Sequence, residues 1–178
     1  MEKNRQGLLH IYCGDGKGKT SAAVGLAVRA AGCGMKVLVV RFLKTENSGE
    51  VEVLRSIPGI TVTPCDRTFG FVFRMTDEQK QEAALYYQSR FEAAAEEAVQ
   101  GEYDLLVLDE ILASCNYGMV RETSVVEFLK NRPEKLEVVL TGRNPSETFL
   151  ELADYVSEIR MRRHPYEKGI PARRGIEF

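Results

Sequence analysis

Eight consecutive residues, Cys13-Gly14-Asp15-Gly16-Lys17-Gly18-Lys19-Thr20, have the types and the order needed to hold phosphate. Gly14, Gly16 and Gly18 let a backbone turn its N–H groups toward one point, and a helix starting behind them adds its positive end. Lys19 contributes a point charge and Thr20 a hydroxyl for a magnesium ion, with Asp15, Lys17 and Ser21 completing the stretch. The order departs from G-x-x-x-x-G-K-[ST] at one place: Cys13 stands at the first glycine, and a glycine follows one residue later. A glycine-rich turn without a ligand is the bland alternative. Against it stand the apolar run Leu8-Leu9-His10-Ile11-Tyr12 before the loop and the alanine-rich segment after it, the strand and helix that phosphate binding requires. Lys17 reads either as a second phosphate contact or as an exposed loop lysine.

A second nucleotide signal is Leu105-Leu106-Val107-Leu108-Asp109-Glu110, an apolar strand that ends in two carboxylates, where such folds hold magnesium. Asp109 is the metal-side residue. Glu110 serves the metal, a ribose hydroxyl or a substrate group, unless the pair only caps the next helix. Thr141-Gly142-Arg143 follows the next strand, and Arg143 binds phosphate or ribose or lies on the surface. Arg29, further along the helix behind the loop, is either a nucleotide contact or half of a salt bridge. The only histidines are His10 and His164, in a strand and in the tail, so no Ser-His-Asp or Cys-His arrangement is evident. Nor is a base placed to activate a hydroxyl acceptor. The nucleophile of any reaction here comes from elsewhere.

Positioning these residues takes an alternating α/β chain. Strand-like runs occur at residues 8–12, 36–42, 60–63, 104–108, 137–140 and 155–159, with helical segments between most of them. Val37-Leu38-Val39-Val40 and Leu105-Leu106-Val107-Leu108 are apolar without alternation, as expected of central strands in a parallel sheet covered on both faces. Thr76-Asp77-Glu78-Gln79 has the form of a capping box, opening a long helix that stops at Gly101. Asn144-Pro145-Ser146-Glu147 reads as an asparagine cap with proline first in the helix, and a further helix spans residues 122–131 before Pro133. Residues 44–50 and Phe69-Gly70-Phe71-Val72-Phe73 fit no regular element and follow strands, as substrate loops of open α/β sheets do. The tail from Arg160 onward is irregular and basic.

The chain has 178 residues, 44% hydrophobic and 28% charged, with no linker or repeat, so one domain over residues 1–178 is expected. A net charge of -2 speaks against a protein whose main business is coating nucleic acid. Cys13, Cys33, Cys65 and Cys115 are scattered, without zinc spacing or a disulfide framework, and a reducing cytoplasmic setting fits best. The first residues lack the apolar core of a signal peptide, and no run approaches the roughly 20 apolar residues that span a bilayer.

Taken together, Gly14-Asp15-Gly16-Lys17-Gly18-Lys19-Thr20-Ser21-Ala22-Ala23, Arg41-Phe42-Leu43-Lys44, Leu108-Asp109-Glu110, Thr141-Gly142-Arg143, Ala153-Asp154-Tyr155-Val156-Ser157-Glu158 and Gly175-Ile176-Glu177-Phe178 resemble the ATP:corrinoid adenosyltransferases of the P-loop type. The resemblance implies a RecA-like P-loop NTPase fold, with a mostly parallel sheet of about six strands and helices on both faces. It implies that a reduced corrinoid, as Co(I), attacks the 5′ carbon of ATP and displaces triphosphate. Co(I) has no proton to lose, which accounts for the absent base. Residues 14–21 would hold the triphosphate, the nucleotide lying reversed along the loop, with Lys19, Thr20 and Glu110 as catalytic groups. Mg2+ (or Mn2+) would lie on Thr20, Asp109 and Glu110, and Arg29 and Arg143 would contact ATP. Phe71 and Phe73 match an aromatic pair that flanks the corrinoid and helps remove its lower axial ligand, although relatives often have tryptophan at the position of Phe73. About seven residues precede the first strand, where some relatives carry a longer helix that covers the site. A homodimer is implied, with a flavoprotein or other electron donor as partner and neither membrane nor nucleic acid. A P-loop kinase or phosphotransferase with ordinary ATP orientation, and a nucleotide-gated module that binds nucleic acid through its basic tail, are the competing readings.

Overall fold

Strands that are apolar at every position need cover on both faces, and a parallel sheet with crossover helices supplies it. The computed structural model, which describes residues 6–70 and 72–177, has this form. Phe71 and Phe178 lie outside the described residues. Six strands, β1 (Leu9–Cys13), β2 (Val37–Arg41), β3 (Ile60–Val62), β4 (Leu105–Asp109), β5 (Glu137–Thr141) and β6 (Tyr155–Glu158), form one sheet in the order β3-β2-β4-β5-β1-β6. All five pairings are parallel. β2 and β4 are internal strands, as their unbroken apolar runs require.

Two helices cover one face. α1 (Lys19–Gly32) lays Ala23, Ala27 and Ala30 against the sheet, where small side chains allow close approach, and α2 (Glu50–Ser56) adds Val51 and Leu54. They pack on Val37, Val39, Leu105 and Val107. On the opposite face, Leu38, Val40, Leu106 and Leu108 meet α3 (Asp77–Gln100), α4 (Ile111–Asn116), α5 (Glu122–Asn131) and α6 (Glu147–Leu152). α3 buries Ala83, Tyr87, Phe91, Ala94 and Ala98, a helical stripe. Its start is the capping box expected: Gln79 N–H donates to Thr76 Oγ1 at 3.2 Å, and Thr76 N–H to Gln79 Oε1 at 2.9 Å. Arg90 on α3 donates to the carbonyls of Arg41, Thr63 and Pro64, tying together the ends of β2 and β3.

α5 spans the residues expected, whereas α6 starts later than the sequence reading placed it. Ser146, not Asn144, is its cap, accepting from Phe149 N–H at 3.4 Å, while Asn144 takes a left-handed φ of 49° in the preceding turn. The serine hydroxyl reaches the first turn directly, and Pro145 then lies ahead of the cap. α2 has no polar cap, only Gly49, which is why its seven residues give no start signal. The two irregular segments carry short pieces of structure: residues 44–49 are loop before α2, and Val72–Arg74 form a single 3-10 turn. β6 is an edge strand, held to β1 where Leu9 N–H donates to Asp154 Oδ2 at 2.8 Å. Among the described residues no helix is long and apolar enough to cross a membrane.

Phe149 is fully buried and fastens α6 to the sheet. Phe149→Ala is expected to cost about 3–5 kcal/mol, read as a lower urea midpoint at unchanged slope.

Candidate functional site

Parallel strands all end at one edge, and the registers Arg41 to Asp109 and Tyr12 to Thr141 bring four strand ends level there. The phosphate loop leaves β1 at this edge. Gly14 has φ 105°, and a Cβ on it would stand 2.3 Å from the carbonyl oxygen of Ile159, just past β6. Gly16 N–H donates to that same oxygen at 2.8 Å. The need for glycine therefore falls on residue 14, while Cys13 is still strand, with its side chain in the core. That explains the shifted first glycine. Gly18, at φ 121°, leads into α1, which begins at Lys19.

Lys19 folds across the loop, its ammonium donating to the carbonyls of Gly14 at 2.8 Å and Gly16 at 2.9 Å. Burial holds it below the usual lysine range, a push that nearby Glu110 opposes. Asp15 Oδ1 accepts from Met161 N–H at 2.9 Å, which keeps its carboxyl below the ordinary range. Arg143 reaches the Asp15 carbonyl at 3.5 Å, so its guanidinium stands at the loop. Lys17 and Ser21 are exposed on the same rim.

Asp109, only 1% exposed, is the convergence point. Its Oδ1 accepts from Thr141 Oγ1 at 2.7 Å and Thr20 Oγ1 at 3.0 Å, and its Oδ2 from the Lys44 ammonium. Lys44 also donates to Thr20 Oγ1 at 2.8 Å. Thr141 in turn accepts Glu110 N–H at 2.8 Å, so one hydroxyl serves both acidic residues. Glu110 sits at φ 62° and caps α4. Burial raises its carboxyl pKa, Asp109 raises it further, and Lys44, Lys19 and Arg143 oppose. The hard oxygen donors of Thr20 and Asp109, with Glu110 beside them, are the ligand type that Mg2+ or Mn2+ takes. Among the described residues no group of three or more His, Cys, Asp or Glu side chains gathers as a metal cage.

Residues 15–21 line a pocket together with Glu110, Arg143, His164, Ile176 and Glu177. The tail is thus part of the wall. Its Glu177 carboxylate accepts from Arg173 N–H at 2.7 Å, from the Arg173 guanidinium and from Lys17 at 3.4 Å, and Arg173 above all lowers its pKa to about 2. A second groove runs from residues 44–49 to Arg174 and Glu177.

Arg29 is not brought to this pocket within the chain. It is ten residues from Lys19 along α1, about 15 Å at the helical rise, and lines a hollow with Leu105 and Glu137 at the amino ends of their strands. Phe73 is 78% exposed, with the Arg74 guanidinium 5.5 Å from its ring centre. Phe69 instead packs inward on Tyr86 and Tyr87, and Tyr87 meets Phe42 at the end of β2. This chain of rings ties Phe69 to the strand end that leads to Lys44.

Compared with known proteins, residues 5–178 match the family model of the ATP:corrinoid adenosyltransferases BtuR/CobO/CobP. The chain belongs to this family. A corrinoid adenosyltransferase of Pseudomonas aeruginosa is 33% identical over 177 residues, 99% of this chain and 86% of the relative. One from Escherichia coli K12 is also 33% identical, covering 99% of this chain and 88% of its own, and the Salmonella typhimurium corrinoid adenosyltransferase CobA is 32% identical over the same shares.

In this family member, sequence reasoning placed Lys44 only in a candidate substrate loop and assigned no role to Thr141 or Glu177, although each lies inside a motif that carried the resemblance. Their partners are distant in sequence, and only folding joins them. Thr141→Val keeps the shape but leaves Glu110 N–H without its acceptor and Asp109 Oδ1 with Thr20 as its remaining donor, so a loss of about 1–3 kcal/mol is expected on chemical unfolding. Nucleotide affinity, measured calorimetrically, should fall with it.

Proposed function

We propose that the protein transfers the 5′-deoxyadenosyl group of ATP to the Co(I) centre of a corrinoid, cobalamin or a biosynthetic precursor, and releases triphosphate. The observation that carries this reading is a pocket at the phosphate loop, lined by residues 15–21 with Glu110 and Arg143. Lys19 and Arg143 line it, each bonded to a carbonyl of the loop. Attack by a proton-free metal nucleophile needs only this: two substrates held in line, and charge stabilised on the leaving group. Membership of the adenosyltransferase family supports the same reading.

Residues 14–21 then hold the triphosphate, with the nucleotide reversed so that the ribose carbon faces the corrinoid. Lys19 releases the Gly14 and Gly16 carbonyls and turns to phosphate. Thr20 and Asp109, joined by Glu110, hold Mg2+ or Mn2+, which when bound neutralises phosphate charge. Glu110 and Arg143 meet the nucleotide from the ends of β4 and β5. Arg29 stands too far along α1 to do so in its own subunit. Phe73, 78% exposed, offers the corrinoid an apolar surface. The single domain works in the cytoplasm as a homodimer, with a flavoprotein or other donor supplying electrons. Pairing of Arg160 with Glu158 and of Arg173 with Glu177 argues against a tail given to nucleic acid.

Incubation with ATP, Mg2+ and chemically reduced cobalamin should yield triphosphate and a light-sensitive cobalt–carbon bond. ADP without alkylated corrinoid would point to phosphoryl transfer instead. Lys19→Ala is expected to cut kcat about a hundredfold or more, since it removes charge from the leaving-group site. Phe73→Ala should slow the reaction of corrinoid supplied as Co(II) with reductant more than that of preformed Co(I); equal slowing would count against ligand displacement.

A further inference from the structure

Lys44 lies where a divalent cation would. Its ammonium donates to Thr20 Oγ1 at 2.8 Å and to Asp109 Oδ2, the hydroxyl and the carboxylate proposed as metal ligands. The placement is built rather than incidental. Leu43 takes a left-handed φ of 52°, uncommon for a branched side chain, and this kink turns the chain at the end of β2 so that residue 44 points back across the sheet edge. Leu43 packs against the core.

The chain after Lys44 is pinned as firmly. Arg41, 2% exposed, donates to the Thr45 carbonyl at 2.9 Å and to Glu46 Oε2 at 2.9 Å. Glu46 also accepts Cys65 N–H at 2.8 Å and pairs with Arg55. Both sides of residue 44 are therefore fixed, and its side chain spans the remaining gap to a carboxylate that is otherwise buried.

We propose that Lys44 is a resident counter-ion, occupying the divalent-cation position of the nucleotide-free site so that the metal enters as its nucleotide complex rather than alone. The proposal rests on the reading of Thr20 and Asp109 as cation ligands. Two cations cannot share those oxygens. A bare metal ion must displace the ammonium for one carboxylate and one hydroxyl. A metal ion carried by ATP brings phosphate oxygens that complete its coordination, and the flexible lysine stem then swings aside. Lys44 thereby also holds the buried Asp109 carboxylate satisfied until the nucleotide arrives.

The test is Mn2+ binding followed by electron paramagnetic resonance, with no turnover required. For nucleotide-free protein, Lys44→Met and Lys44→Gln should each bind Mn2+ about tenfold more tightly than wild type, the gain from removing an occupant that leaves the position open about one part in ten. Lys44→Arg should stay as weak as wild type. With ATP present, the difference between Lys44→Met and wild type should shrink to about threefold or less, by linkage. Unchanged Mn2+ affinity in both neutral variants would overturn the proposal. Asp109→Asn separates the two ideas: if it abolishes Mn2+ binding with ATP while the Lys44 variants match wild type, the metal site stands and the counter-ion role fails. If Asp109→Asn leaves Mn2+ binding with ATP untouched, the metal site fails and the counter-ion role with it.

Discussion

A carboxylate buried at the carboxyl edge of the sheet organises the molecule. Asp109 is 1% exposed, and a buried carboxylate is tolerated only when its oxygens are filled. They are filled from three directions: Thr20 at the head of α1, Thr141 at the end of β5 and Lys44 beyond β2. Those donors come from residues 24 to 121 positions apart in the chain, counting from Lys44 to Thr20 and from Thr20 to Thr141. The arrangement therefore exists only when β1, β2, β4 and β5 stand in one register.

The phosphate loop depends on that register in a second way. Its backbone is propped from outside by Ile159, whose carbonyl accepts Gly16 N–H and leaves no room for a side chain on Gly14. β6 is a short edge strand with every residue exposed, yet it sets the shape of the loop. Asp154 and Asp15, one at each end of β6, bond to backbone N–H groups across it and fix it to the loop and to β1. A strand that contributes little to the core thus fixes the shape of the loop.

Charge in the pocket is arranged in layers. Lys19 is buried and turned onto the loop carbonyls, Arg143 stands above the loop, and Lys17 is tied outward to Glu177 of the tail. These cations are already positioned, each held by oxygen partners of the protein itself. In the proposed reaction, exchange of those partners for phosphate would need side-chain rotation and not refolding. Joining Glu177 to both Arg173 and Lys17 makes the tail a wall of the same pocket.

Much of this was legible in the residues. Non-alternating apolar runs identified β2 and β4 as internal, Thr76 and Gln79 announced α3, and the glycines with Lys19 and Thr20 marked the phosphate loop, because these signals are local: helical periodicity, caps and backbone freedom act within a few residues. What sequence could not supply was contact between distant residues. It placed the cap of α6 two residues early, since asparagine and serine both suit the position, and in the fold Asn144 takes the left-handed turn while Ser146 reaches Phe149 N–H. It grouped Arg29 with the nucleotide, although the length of α1 carries that side chain to the far end of the sheet. It saw Lys44 as one letter of a motif. Tertiary structure decided that this ammonium lies on Asp109, for a physical reason: a buried carboxylate recruits whichever cation the fold can deliver, and delivery was settled by a left-handed turn at Leu43 and an anchored Arg41, neither of which a sequence pattern displays.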